Sequence, residues 1–187
     1  MIHQLRISLN GSDPEIWRSF KINSDSTFHD LHLIIQEVMG WENDHLYEFE
    51  NKDYKIGMEP EDAFFADEDL ISADSISIKD VLLKKKSSII YNYDFGDSWE
   101  HNVIVEDILK DEILLKPICI AGAMNCPPED CGGIWGYMNL LEIIKDKKHP
   151  ERDEMLEWLG DSFDPNYFDL EILNKTLAMF KIKKKRK

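Results

Sequence analysis

The sequence predicts an α+β protein built on a mostly antiparallel sheet. Three observations carry that expectation. The chain opens with two alternating apolar stretches separated by turn residues, which read as a β-hairpin. A single strongly periodic helix follows directly, and further alternating strands come after it without the strand–helix repetition of a parallel sheet.

In the hairpin, Leu5, Ile7 and Leu9 alternate with polar neighbours, and Ile16, Phe20 and Ile22 share a face opposite Trp17. Asn10-Gly11 and Asp13-Pro14 supply the turn between them. The helix has Thr27 as its cap and Asp30 in its first turn, and Phe28, Leu31, Ile35 and Val38 lie on one stripe before Gly40 ends it. Short strands are expected at Leu46–Phe49 and Tyr54–Ile56, then an acidic loop over 58–74, then a short helix within 74–83. Ile89, Tyr91 and Tyr93 alternate into a Gly96-Asp97 turn, and Val103 and Val105 alternate out of it. With a third strand at Glu112–Ile118, these form a three-stranded meander. From residue 119 the pattern reads as helical. A Pro/Gly-rich loop precedes a helix carrying Tyr137, Leu140, Leu141 and Ile144, Pro150 opens a second, and Asp169 caps a third. The strand order after the hairpin resembles a β-grasp core, with helices appended at the C-terminus. Residues 1–180 are expected as one domain and 181–187 as a basic, disordered tail.

The formal net charge is −15, and six of the 22 basic side chains sit in the last seven positions. The rest of the chain is therefore more acidic still, and it repels phosphate backbones. Nucleic acid is expected, if at all, only through Lys181–Lys187. No apolar signal region follows Met1, no run approaches a membrane span, and the three cysteines are odd in number. These features predict a cytoplasmic protein with reduced thiols.

Two segments concentrate chemistry-bearing residues. YDFGDSWEH, residues 93–101, sets Asp94 and Asp97 around Gly96, with Trp99 and His101 on one strand face and Glu100 on the other. CPPEDCGG, residues 126–133, holds Glu129 and Asp130 between prolines and glycines, a loop suited to recognition or to an oxygen-ligand cation site. Asp94, Asp97, His101, Glu129 and Asp130 are thus the candidate binding surface. Gly96, Trp99, Pro127, Pro128, Cys131, Gly132 and Gly133 are the structural part of the same motifs. Asp94-Phe95-Gly96 matches the kinase tripeptide by chance, because no Gly-rich phosphate loop or catalytic loop accompanies it. Cys119, Cys126 and Cys131 are separated by six and by four residues, a poor match to structural zinc, so no metal and no cofactor are expected. His29 and His32 lie three apart, with His45 further along, and read as a polar helix face. No hydrolase, metalloprotease, nucleotide or dinucleotide fingerprint is present.

Together with TFHDLH (27–32), Met39-Gly40-Trp41, HLYEF (45–49) and WLGDSFDPNYFD (158–169), these two segments resemble the Ri-plasmid ORF-three-like family. That family includes passenger proteins of insertion elements that are sometimes labelled resolvases. The resemblance implies no catalytic role for the matching residues. A serine recombinase also needs a nucleophilic serine amid clustered arginines, and outside the tail this chain has only Arg6, Arg18 and Arg152. The reading is a non-enzymatic interaction or regulatory module with a protein partner. The alternatives are a metal-dependent enzyme using the Asp94/Asp97/His101 and Glu129/Asp130 segments, and a nucleic-acid accessory protein acting through the tail. The discriminating question is whether the two segments meet in space.

Overall fold

The computed structural model describes residues 1–58, 69–110, 112–160 and 163–180. Most of the acidic 58–74 stretch and the basic tail lie outside them. The hairpin forms as expected: β1 (Ile2–Leu9) pairs antiparallel with β2 (Trp17–Asn23), placing Leu5 opposite Phe20. Its inward side chains, Leu5, Ile7, Phe20 and Ile22, are all fully buried. On the outer face Arg6 lies over the Trp17 ring, 3.7 Å from its centroid.

Helix α1 (Phe28–Met39) starts with a complete capping box. Asp30 N donates to Thr27 Oγ1 at 3.0 Å, and Thr27 N donates to Asp30 Oδ2 at 2.9 Å. It stops at Gly40, whose left-handed φ of 77° suits a residue without Cβ. Phe28, Leu31, Ile34, Ile35 and Val38 are buried against the inner sheet face.

Strands β3 (Tyr47–Glu50), β4 (Lys55–Gly57), β5 (Ile71–Ser72), β6 (Ser88–Tyr93), β7 (Trp99–Leu109) and β8 (Ile118–Ala123) complete an eight-stranded sheet. Its order is β5-β4-β3-β6-β7-β1-β2-β8. Among the described strands, only β4 and β5 pair parallel. Helix α2 (Ile78–Val81) lies between β5 and β6 in sequence.

Two strand expectations need correction. β6 and β7 form the expected hairpin, but the third member is not Glu112–Ile118 and does not pair with β7. The β1–β2 hairpin takes that edge of β7, and the last strand, β8, starts at Ile118 and pairs with β2. The physical reason is that β1 offers eight residues with one apolar face and pairs with β7 along their whole length, from Ile2 opposite Leu109 to Leu9 opposite His101, with one register shift between Gln4 and Leu5. The stretch read as the beginning of the helical region is therefore an edge strand.

That edge is covered. Asn174 of α5 (Leu170–Met179) accepts from Cys119 N at 2.8 Å and donates to Cys119 O at 2.9 Å, imitating a neighbouring strand. α5 starts at the Asp169 cap, whose carboxylate accepts from Glu171 N and Ile172 N. The other two helices are α3 (Gly133–Lys145) and α4 (Arg152–Leu159). Pro150 precedes α4 by two positions instead of lying in its first turn. Tyr137 and Leu140 of α3 and Leu177 of α5 join the same apolar cluster as the sheet and α1.

A buried arginine ties these parts together. Arg18 is 3% exposed, and among the described residues it has no ion pair with a carboxylate. Its Nε donates to Val38 O, Nη1 to Trp17 O and Ala123 O, and Nη2 to Met124 O and Cys126 Sγ. All five donors are used. The guanidinium also lies over the Phe168 ring at 4.5 Å.

Candidate functional site

Both motif segments are sharply bent, and each bend has a local cause. After β6, Asp94 takes a left-handed φ of 55° and Ser98 one of 54°. The Asp94 side chain closes the turn by accepting from Gly96 N at 2.9 Å, and Ser98 N donates to Asp94 O at 2.6 Å. In the second loop Asp130, Gly132 and Gly133 are left-handed in turn, and α3 begins immediately.

The two segments meet. Gly132 N donates to Asp97 Oδ2 at 3.1 Å. Gly133 packs so closely that an added Cβ would stand 2.2 Å from Asp97 O, so only glycine fits. Tyr93 donates its hydroxyl to Glu129 Oε1 at 2.5 Å, and Glu42 N donates to Glu129 Oε2 at 2.9 Å. Trp41 Nε1 donates to Pro127 O at 2.9 Å. Asp97 and Glu129 are thus the clasp between the loops. Burial, and then Glu129, push the Tyr93 phenol well above its ordinary pKa.

Beneath the clasp lies an aromatic layer. Trp41 stacks on Tyr93 with centroids 5.1 Å apart, and it contacts Trp99 at 5.7 Å and His101 at 5.2 Å. Trp99 is 1% exposed. Further along, His32 stacks on Tyr47 at 3.5 Å, bonds to Tyr91 Oη at 2.8 Å and to Asn43 Oδ1 at 2.5 Å. Burial lowers its pKa to about 3, outweighing the Asn43 bond.

The sequence expectation for the histidines changes accordingly. His101 shares the inward face with Trp99 as alternation requires, but it is fully buried and does not reach the carboxylates. Burial lowers its pKa to about 4, beyond what nearby Trp99 and Tyr91 carbonyls restore. Neither of its ring nitrogens has a hydrogen bond of normal geometry. His32 lies on no solvated face either, and His29 bonds to Tyr47 Oη at 2.9 Å. The imidazole beside the carboxylates is His45. Its Nδ1 stands 3.8 Å from Asp94 Oδ1, and its Nε2 stands 3.5 Å from Asp130 Oδ1. Sequence reasoning placed His45 near the first helix; its position just before β3, the neighbour of β6, is what brings it here.

The cysteines stand apart in role. Cys126 is buried between Arg18 and Met39, and burial raises its thiol to about 11. Cys119 is buried on β8. Cys131 is half-buried, raised to about 12 by burial and then by Asp97. All three are poor nucleophiles at neutral pH.

Two cavities flank the clasp. One, of about 230 Å³, is lined by Leu46, Tyr47, Gly57, Met58, Leu70 and Phe95, with Glu48 at its wall. The other, of about 290 Å³, runs between α3 and α4 from Asp130 and Cys131 to Met155 and Trp158.

Fold and site define an α+β protein with a wide, mostly antiparallel sheet and two clasped motif loops at one end. The chain belongs to the plasmid pRiA4b ORF-3-like protein family, whose model matches residues 1–172. It is 33% identical over 176 residues to the uncharacterized protein y4hQ of Sinorhizobium fredii, covering 93% of this chain and 89% of that one. It is also similar to the crystal structure of MM3350, a protein of unknown function from Methanosarcina mazei Go1. That match has a TM-score of 0.82 and 40% identity, over 91% of this chain and 96% of the other. Among the described residues, no helix is long and apolar enough to cross a membrane.

Proposed function

We propose that this chain is a non-enzymatic interaction module and that its partner is a protein docking beside the clasped loops. The observation that carries this reading is the apolar rim around the 230 Å³ cavity. Leu46 is 55% exposed, Met58 47% and Phe95 53%, three large side chains held out on short, hydrogen-bonded segments. Asp94 N bonded to Leu46 O at 2.9 Å couples two sides of that rim. Exposed apolar groups gathered at one place favour a partner over solvent.

The motif acids support the same reading. Asp97 and Glu129 hold loops together, and His101 is sealed below them, so the segments act first as scaffold. The chain's net charge of −15 favours an occupant with an apolar anchor flanked by lysine or arginine.

Fluorescence anisotropy with three peptide sets tests this: one apolar anchor with basic, neutral or acidic flanks. The expected result is saturable binding of the basic set that weakens with salt and is lost in Phe95→Ser. Absence of binding in every set, or binding indifferent to Phe95→Ser, overturns the reading.

A further inference from the structure

We propose that His45, Asp94 and Asp130 form a binding site for a divalent first-row transition-metal ion. One ring nitrogen of His45 and one oxygen of each carboxylate lie within 4.8 Å of one another. Three separate segments supply them: the turn before β3, the turn after β6, and the loop before α3. A metal with nitrogen and carboxylate ligands at about 2.0–2.2 Å holds neighbouring donor atoms roughly 3.0–3.5 Å apart. The 3.5 and 3.8 Å separations are to different ring nitrogens, and only one nitrogen can bind a given ion. The separation that counts is therefore the 4.8 Å within which one nitrogen and the two carboxylate oxygens lie; binding closes it through a turn of the imidazole and of the exposed Asp130 side chain.

The arrangement is unfinished as an ion pair. Neither 3.5 nor 3.8 Å is a hydrogen bond of ordinary length, so His45 stands between two carboxylates bonded to neither. Among the described residues it is also their one ion-pair partner, so two like charges converge with no lysine or arginine between them.

The backbone positions of the two aspartates are held from outside the cluster, while the Asp130 side chain, 74% exposed, is left to turn toward an ion. Asp94 is fixed by its own turn through Gly96 N, and only 13% of its side chain is exposed. Asp130 sits between Glu129, held by Tyr93 and Glu42 N, and Gly132, held by Asp97. His45 rests edge-on against the Tyr93 ring at 5.8 Å. The fold thus presents donors that repel one another without a cation and satisfy one together. One imidazole with two carboxylates suits zinc or manganese and leaves coordination positions open to water or an external ligand. The clasp formed by Asp97 and Glu129 acquires a purpose here, since it fixes the spacing of Asp94 and Asp130.

The full-length protein is titrated with Mn²⁺, followed by loss of the free-ion electron paramagnetic resonance signal, and with Zn²⁺ by calorimetry. Saturation at one ion per chain is expected. His45→Gln, Asp94→Asn and Asp130→Asn should each weaken binding at least tenfold, and Glu171→Gln should leave it unchanged. Asparagine tolerates the left-handed backbone at both aspartate positions, so those variants keep their turns. His45→Gln needs no such tolerance and serves independently. No saturable binding of either ion below millimolar concentration, or binding that survives the three substitutions, overturns the proposal.

Discussion

Replacing Arg18 with methionine tests the claim that one buried guanidinium holds β2, α1, β8 and the CPPEDCGG loop in place. Methionine keeps most of the apolar stem and removes the five donors. The carbonyl of Val38 then loses its donor inside the protein, where water does not replace it. A buried acceptor left unsatisfied costs about 1–3 kcal/mol. Ala123 O and Met124 O are only part-buried, so water recovers much of their loss, and each adds a smaller amount. Against this stands the relief of no longer desolvating a charge that has no carboxylate partner among the described residues. The acceptors left behind are dipoles and not ions, so the net falls below the usual penalty for a broken buried ion pair. We expect a destabilisation of about 3 kcal/mol, equivalent to about 6–12 °C in melting temperature for a chain of this size. Arg18→Lys should lose roughly half as much, because an ammonium reaches fewer of the carbonyls. Urea unfolding with matched m-values measures both. An Arg18→Met midpoint within about 0.5 kcal/mol of wild type would refute the clamp.

Further outcomes follow from other contacts. Glu129→Ala should cost about 1–3 kcal/mol, and a double-mutant cycle with Tyr93→Phe should show coupling of about 1 kcal/mol or more; additive losses would mean that the two residues do not clasp the loops. His32 and His101 have pKa values lowered by burial to about 3 and about 4, so the unfolded chain binds more protons than the folded one below pH 6.5. Stability is therefore full above that pH and falls on acidification, by up to about 1.4 kcal/mol per pH unit for each histidine, until the folded-state pKa is reached. His101→Phe should remove one share of that slope, and an unchanged pH profile in unfolding experiments would contradict its burial as a neutral imidazole. Asn174→Ala should speed amide exchange at Cys119 and cost about 1–2 kcal/mol, since the edge strand loses its imitation neighbour. Gly133→Ala forces the loops apart against Asp97 O; exchange at Gly132 N should rise, and an unchanged rate would show that the close approach is not needed.

Local order was legible in the sequence. Alternation identified β1, β2, β6 and β7 because each has one buried face, and the side-chain period of two survives any choice of partner. Thr27, Asp30, Gly40 and Asp169 announced helix ends because capping is a contact between residues three or four apart. Trp99 and His101 were correctly assigned to one face for the same reason. Partnering was not legible. Whether β7 takes a neighbour from residues 112–118 or from the distant hairpin depends on which strand fills that edge best, and β1 pairs with β7 along all eight of its residues.

The site divides along the same line. Asp94, Asp97, Glu129 and Asp130 stood out by type and by their turn residues, yet only the tertiary structure separates the clasp, Asp97 and Glu129, from the pair facing His45. His45 is separated by 49 residues from Asp94 and by 85 from Asp130 in the numbering, and no periodicity reaches across such intervals. Arg18, on a strand that looked half-polar, was unremarkable until four carbonyls from three segments were seen to point at it. Composition and periodicity determine which faces are apolar and where elements start and stop. Which polar groups come together is decided by sheet order and loop closure, because those contacts form only when segments far apart in the chain fold against each other.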